Sequence, residues 1–211
     1  VFSFVTEYSL VAIPMFVLMA SLLDKTGVAR DLYNAMRIVA GRIKGGVGVQ
    51  TIIVAALMAA MSGIIGGETV LLGMLALPQM LRLGYDKKLA IGTVVGGGTL
   101  GTMIPPSIVL IMYGMTANVS IGDLFTAAIT PGLILVFLYI SYVLIRCYIN
   151  PSMGPPAPQS DLAMSTRDKL RTIGHIVLPM SIVMWVLGSI YGGIASVTEA
   201  ACMGVMGVFV S

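Results

Sequence analysis

The sequence predicts an all-α membrane protein, a bundle of transmembrane helices that contains a re-entrant helical hairpin and a helix broken by Gly and Pro. Of 211 residues, 57% are hydrophobic and 10% are charged, and the mean hydropathy is +0.99, whereas soluble domains carry roughly a quarter charged residues. The apolar residues also form long blocks, such as Leu124–Ile145, which has about the 20 residues needed to cross a bilayer. Glycine and proline interrupt two of the other blocks.

The elements follow one another in six intervals. We assign residues 1–46 to a first transmembrane helix and a cytoplasmic amphipathic helix, 47–83 to the re-entrant hairpin, 84–118 to the broken transmembrane helix, 119–149 to a transmembrane helix, 150–172 to a cytoplasmic loop, and 173–211 to two transmembrane helices, the last one truncated. The amphipathic helix is predicted over Ala29–Ala40, where apolar and charged residues lie on opposite faces. Because the chain lacks an initiator Met and ends inside an apolar run, we expect it to be an internal piece of a longer protein.

The positive charges set the predicted orientation. With the crossings above, every Lys and Arg cluster falls on one side of the membrane, and the other side receives Glu7, Asp123 and Glu199. The positive-inside rule then places the Lys/Arg loops in the cytoplasm and the first residue outside. The formal net charge of +3 is too small and too dispersed to predict nucleic-acid binding.

The hairpin is predicted because each of its two apolar arms is marginal for a full span. Its turn supplies the first group of candidate site residues: Ser62, Gly63, Gly66, Gly67, Glu68 and Thr69. Glu68 is the one acidic residue predicted at membrane depth, where a carboxylate is a functional candidate. Three roles stay open for it: ligand of a cation, carrier of a proton, or cap of the second arm.

The broken helix is predicted from two adjacent prolines, which remove backbone donors and push the preceding residues out of the helical region. It supplies the second group of candidates: Gly97, Gly98, Thr99, Gly101, Thr102, Pro105, Pro106 and Ser107. Broken backbone at membrane depth requires partners from protein or a water-filled cavity. If the two breaks meet, freed carbonyls and hydroxyls can bind Na⁺, and half-helix N-termini can attract an anionic substrate. Individual glycines also fit close helix packing.

Three classes of function remain open at this point. A secondary transporter explains both breaks, and it needs no cofactor and no metal beyond Na⁺ as the coupling ion. A passive channel also places Gly/Thr backbone at mid-depth. An intramembrane enzyme is the least favoured class, because the chain has no H-E-x-x-H motif and a single histidine, His175.

A series of short motifs resembles one known family. The motifs are Ala12-Ile13-Pro14-Met15-Phe16, Gly84-Tyr85-Asp86, Gly97-Gly98-Thr99-Leu100-Gly101, Ile104-Pro105-Pro106-Ser107-Ile108, Tyr113-Gly114, Ser120-Ile121-Gly122-Asp123-Leu124-Phe125, Pro131-Gly132-Leu133 and Gly193-Ile194-Ala195-Ser196-Val197-Thr198-Glu199-Ala200-Ala201. In this order they resemble the large, DctM-like membrane subunit of tripartite ATP-independent periplasmic (TRAP) transporters. The resemblance covers essentially the whole chain.

The resemblance implies a multi-pass permease of the bacterial inner membrane that imports an organic acid, such as a dicarboxylate, by Na⁺ symport. It also implies two partners, a small four-helix DctQ-like subunit and a periplasmic DctP-like solute-binding protein. Such large subunits are similar to elevator-type transporters of the ion-transporter superfamily, in which a hairpin tip and a broken helix hold Na⁺. The chain corresponds to about one half of a full subunit, so this piece alone is not expected to transport.

By position, the resemblance equates Ser62-Gly63 and the following turn with the hairpin tip, and Gly97–Ser107 with the helix break. The chain departs from the commoner family pattern at the tip. Ile64-Ile65-Gly66-Gly67 replaces small polar residues, and Glu68 stands where Asp is frequent. Because small polar side chains are replaced at this tip, we expect backbone carbonyls to supply more of the ligands there. At a second place, Val197 stands where Pro is usual.

Overall fold

The computed structural model of the protein describes residues 8–27, 30–34, 43–63, 66–156 and 166–210. All regular structure within these ranges is helical, which confirms an all-α protein. The α-helices are α1 (Ala12–Lys25), α2 (Gly46–Ser62), α3 (Gly67–Arg82), α4 (Lys87–Gly98), α5 (Ile108–Ala117), α6 (Ile121–Ile149), α7 (Thr166–Tyr191) and α8 (Val197–Val210), and short 3-10 helices occupy Tyr8–Val11, Thr99–Thr102 and Pro151–Met153.

Helix α6 is the one described helix that is long and apolar enough to cross a membrane. Its 29 residues correspond to about 43 Å at the usual rise per residue, against a hydrocarbon core of about 30 Å. Several of its apolar side chains are more than half exposed, among them Phe137, Leu138 and Ile145. Shorter apolar helical stretches lie at Ala12–Leu23, Gly46–Ser62, Ile108–Ala117, Met180–Tyr191 and Val197–Phe209.

Helix α2 lies at the centre of the packed core. It contacts α1, α3, α4, α6 and α7, and its Val47, Val54 and Ala55 are fully buried. Two polar residues of α2 are equally buried: Thr51 donates a hydrogen bond to the Val47 carbonyl, and Gln50 donates one to the carbonyl of Tyr33. Because buried polar groups must find hydrogen-bond partners, these contacts lower the cost of burying this part of α2. The hairpin arm therefore packs against protein on several sides.

The described residues within 150–172, which were predicted to form a loop, include two helical elements. A 3-10 turn at Pro151–Met153 begins on a proline, whose fixed φ suits the first position of a helical turn. Helix α7 already begins at Thr166, and Ser165 and Asp168 have the spacing of a helix-start signal in the sequence. Residues 157–165 lie outside the described ranges. Of the predicted amphipathic helix Ala29–Ala40, residues 30–34 are described and are helical.

Candidate ion and solute site

The hairpin tip is formed by a glycine at each end of the turn between α2 and α3. Gly63 ends α2 in the left-handed region, with φ 58° and ψ 16°, and its N–H donates to the Ala59 carbonyl over 3.1 Å. Gly66, with φ 94°, precedes the first residue of α3. Glycine adopts positive φ without the cost that a Cβ imposes, and this explains why the chain turns here. Ile64 and Ile65 lie outside the described residues.

The Glu68 carboxylate is the charged group of this tip. It lies in the first turn of α3, and only 3% of the residue is exposed. The hydroxyl of Ser62 donates a hydrogen bond to Glu68 Oε1, so the last residue of α2 is joined to the first turn of α3. Hydrogen bonds to a charged acceptor are stronger than neutral ones. The bond closes the tip from one arm to the other.

The break in the second element separates α4 from α5 by a 3-10 turn and an irregular segment. Helix α4 ends at Gly98, and α5 begins at Ile108 after a cis Pro105-Pro106 peptide bond. Side chains bond to the backbone of the break: Ser107 Oγ donates to the Thr102 carbonyl over 2.9 Å, and Thr102 Oγ1 donates to the Thr99 carbonyl over 2.8 Å. These bonds satisfy part of the backbone that the break leaves without helical partners.

The tip and the break are in direct contact. The N–H of Ile108, the first residue of α5, donates to the carbonyl of Gly63 over 3.3 Å. A Cβ atom on Gly63 would collide with the carbonyl oxygen of Pro106 and would lie 3.3 Å from the Cα of Ser107. The hairpin tip therefore approaches the break so closely that only glycine fits at position 63.

A second contact joins the other two helix ends. A Cβ atom on Gly98, the last residue of α4, would lie 2.8 Å from the Cβ and 3.0 Å from the Cα of Thr69 in the first turn of α3. The C-terminal ends of α2 and α4 and the N-terminal ends of α3 and α5 therefore converge. Carbonyl ends of helices carry partial negative charge and N–H ends carry partial positive charge. The arrangement therefore brings partial charges of both signs close together.

The structure thus brings together seven of the residues predicted for the site, which are Ser62, Gly63, Glu68, Thr69, Gly98, Pro106 and Ser107. Gly66 and Gly67 lie at the exposed outer part of the turn. Gly97 instead faces α2, where an added Cβ would lie 2.9 Å from the Cβ of Ala55. That contact fits the alternative reading of this glycine as a close-packing residue.

Thr99 lies away from the tip. It is exposed, its hydroxyl donates to the Gly96 carbonyl over 2.7 Å, and it lies 3.4 Å from the hydroxyl of Tyr139 on α6. Tyr139 was not among the residues predicted for the site. The only signal available was a phenol hydroxyl in the middle of an apolar run, and such a residue is also common in ordinary packing.

Interrupted helices whose polar ends converge are typical of the binding sites of secondary transporters. The chain belongs to the family described as the DctM component of the tripartite ATP-independent periplasmic transporter, and the family model matches residues 1–210. This match confirms the resemblance carried by the Gly/Pro motifs. It also excludes the intramembrane enzyme, because the similar proteins are permeases.

Relatives with curated descriptions extend the match. The chain is 33% identical over 193 residues to the ectoine/5-hydroxyectoine TRAP transporter large permease protein of Ruegeria pomeroyi, covering 92% of this chain and 44% of the relative. It is 31% identical to the C4-dicarboxylate TRAP transporter large permease protein of Vibrio cholerae, covering 95% and 43%. The corresponding Pseudomonas aeruginosa protein is 33% identical, with 93% and 45% covered. The chain therefore spans less than half the length of these relatives.

Proposed function

We propose that this chain forms part of the large permease subunit of a TRAP transporter that imports an organic acid together with Na⁺. The observation that carries the proposal is the direct contact between the hairpin tip at Gly63 and the helix break at Pro106 and Ile108. Na⁺ is a hard cation that prefers oxygen ligands; α2 ends at this contact with its carbonyl groups, and α4 ends nearby at Gly98, against Thr69 of the hairpin. The carboxylate of the solute binds at the N-termini of α3 and α5, where the helix dipoles provide partial positive charge.

The buried polar side chains support a cation beside the tip. Glu68 and Ser62 lie together on the hairpin, and Ser107 lies in the break, so that carboxylate and hydroxyl oxygens flank the converging backbone carbonyls. A buried carboxylate is costly unless it is paired or coordinates a cation. In this proposal the bound Na⁺ lowers that cost, and Glu68 faces the ion with Ser62 as its hydrogen-bond donor.

The relatives point to a class of solutes and not to one compound. Two of them are named for the transport of ectoine/5-hydroxyectoine and of C4-dicarboxylates. Relatives with similar identity to this chain thus carry different solutes. We propose a carboxylate, because the converging N-termini of α3 and α5 provide partial positive charge for an anion.

The hairpin re-enters the membrane from the cytoplasmic side, and it moves with the broken helix as one body in an elevator motion. Contacts at the base of the hairpin support a common body. The N–H of Gly45 donates to the Gly154 carbonyl over 2.9 Å, and the N–H of Asp86 donates to the Met153 carbonyl over 3.0 Å. The turn after α6 therefore holds the start of α2 and the start of α4 together.

The working transporter contains a small permease subunit and a periplasmic binding protein in addition to the large subunit, as is general for this family. It lies in the bacterial inner membrane, with the Lys/Arg loops of this chain in the cytoplasm. The binding protein delivers the solute from the outer side. Coupling to Na⁺ then provides the driving force without ATP.

The test uses the complete transporter, with both membrane subunits reconstituted in liposomes and the binding protein added outside. Uptake of radiolabelled C4-dicarboxylates and ectoine is measured with an inward Na⁺ gradient, with equal Na⁺ on both sides, and with K⁺ replacing Na⁺. We expect one of these solutes to accumulate, and to do so only when both the Na⁺ gradient and the binding protein are present. Equal uptake in K⁺ would refute Na⁺ symport, and conductance without accumulation would identify a channel.

A further inference from the structure

A large cavity lies beside the candidate site, between α4 and α6. Its volume is about 880 Å³. Helix α4 contributes Lys88, Gly92 and Gly96 to its wall, α6 contributes Tyr139, Tyr142 and Arg146, and Ile52 of α2 closes the back. The contacts of the hairpin tip with the helix break do not use this wall.

The cavity is charged at one end and apolar along its length. Lys88 stands at the start of α4, and Arg146 stands in the last turn of α6, both at the face predicted to be cytoplasmic. From Lys88 to Gly96 the wall runs about 12 Å along a helix, and from Arg146 to Tyr139 it runs about 10 Å. Half of a hydrocarbon core of about 30 Å is about 15 Å. The cavity therefore extends from headgroup level through much of one leaflet.

The apolar part of the cavity is open. A Cβ atom on Gly92 would meet no other atom within 4 Å, and one on Gly96 would meet only the ring of Tyr139, at 3.6 Å. The neighbouring Leu138 and Tyr142 are 55% and 59% exposed. Two glycines one helical turn apart thus form a smooth groove that is bordered by uncovered apolar side chains.

The cations at the charged end keep their hydrogen-bond donors available. Arg146 Nε is buried and has no hydrogen-bond partner in the part of the chain that the structure describes. Asp86 is the one carboxylate among the residues that line this cavity, and it accepts the Leu89 N–H over 3.0 Å as the cap of α4. A buried guanidinium donor is costly without an acceptor. With two cations and one carboxylate, the charged end therefore favours an anionic ligand.

We propose that this cavity binds an anionic phospholipid of the cytoplasmic leaflet. The phosphate lies between Arg146 and Lys88, and one acyl chain runs along Gly92 and Gly96 toward Tyr139. A phosphate suits the planar donors of an arginine, and the cytoplasmic leaflet carries the anionic lipids. The proposal rests on charge and depth, and it does not depend on which solute or coupling ion is used.

The test uses the purified complete transporter, depleted of lipid in detergent and then titrated with phosphatidylglycerol that carries a photoactivatable group in its acyl chain. We expect labelled peptides that contain residues 91–96 or 138–142. Arg146→Gln removes a charge-assisted contact, so labelling should require about tenfold more lipid. Lys87→Gln is the matched control, because Lys87 is an exposed neighbour of Lys88 that does not line the cavity.

Gly92→Leu provides an independent variant, because the space at this position is open. It should fill the groove and abolish the acyl-chain label while the transporter remains assembled. The proposal is overturned if the label falls elsewhere, or if Arg146→Gln and Gly92→Leu leave it unchanged. It is equally overturned if a crosslinker attached at Gly92→Cys captures the small subunit or another segment of the large subunit, because the groove then holds protein.

Discussion

The replacement Gly63→Ala tests how closely the hairpin tip and the helix break must approach each other. Gly63 has φ 58°, and a Cβ at this position would collide with the Pro106 carbonyl oxygen. The left-handed conformation costs an L-residue roughly 1–2 kcal/mol. The obstacle is backbone, which cannot rotate away like a side chain, so relieving the overlap adds about 1–3 kcal/mol. The total penalty on the tip–break contact is about 2–5 kcal/mol.

That penalty corresponds to a loss between about 30-fold and a few thousandfold in the population that holds the contact. The assay is Na⁺-driven uptake by the complete transporter in liposomes, with the amount of folded protein measured by size-exclusion chromatography. Gly73→Ala is the matched control on the same hairpin. Its Cβ would lie 3.9 Å from Val94, an ordinary contact, and alanine is the better helix former by about 1 kcal/mol.

We expect Gly73→Ala to transport within about twofold of wild type, since such a change costs less than about 0.5 kcal/mol. Gly63→Ala should lose most uptake while the complex still assembles. If Gly63→Ala transports as well as Gly73→Ala, the close approach of tip and break is not required for transport, and the reasoning from this contact is wrong.

Two further replacements test the base and the tip of the hairpin. The Tyr85 hydroxyl accepts the Val47 N–H over 3.2 Å. Because Tyr85→Phe removes this acceptor, it should lower the free energy of unfolding by about 1 kcal/mol. Burial raises the pKa of the Tyr85 phenol above its ordinary value of 10.0. The stability linked to the raised pKa is fully present below the unfolded pKa and is lost as pH rises through the folded pKa. Thermal unfolding of the complete transporter should therefore show the same difference between wild type and Tyr85→Phe at about pH 6 and pH 9. A difference that grows or vanishes between these two pH values would contradict the assignment. Ser62→Ala removes the hydroxyl that donates to the buried Glu68 carboxylate, so the Na⁺ concentration for half-maximal uptake should rise several-fold, with a loss of about 1–3 kcal/mol in stability. Ser189→Ala is the control, because that buried hydroxyl bonds within its own helix; equal effects of the two variants would remove the reason to place Ser62 at the ion.

Much of the fold was predictable because Gly and Pro mark breaks regardless of tertiary context. Two adjacent prolines end a helix by removing donors, and the structure ends α4 at Gly98 and starts α5 at Ile108. Glu199 lies in the first turn of α8. Its Oε2 accepts from both the N–H and the hydroxyl of Ser196, each over 2.8 Å, in the reciprocal pattern of a capping box.

The pairing of the site residues was not predictable from the sequence. Periodicity shows which face of a helix is buried, but it does not name the partner of that face. The contacts of Gly63 with Pro106 and of Gly98 with Thr69 join segments far apart in sequence. Gly97 and Gly98 are adjacent and identical, yet one packs on Ala55 and the other borders the tip. Only the three-dimensional arrangement separates a packing glycine from a site glycine.

Hydrogen–deuterium exchange on the complete transporter tests whether the hairpin tip and the helix break form one Na⁺ site. Exchange is compared in Na⁺ and in K⁺ at equal ionic strength, with peptides that cover residues 60–70 and 97–110. Because a bound ion stabilises the conformation that holds it, we predict slower exchange in Na⁺ for both segments together. Unchanged exchange in both, or protection of one segment alone, would contradict a shared site.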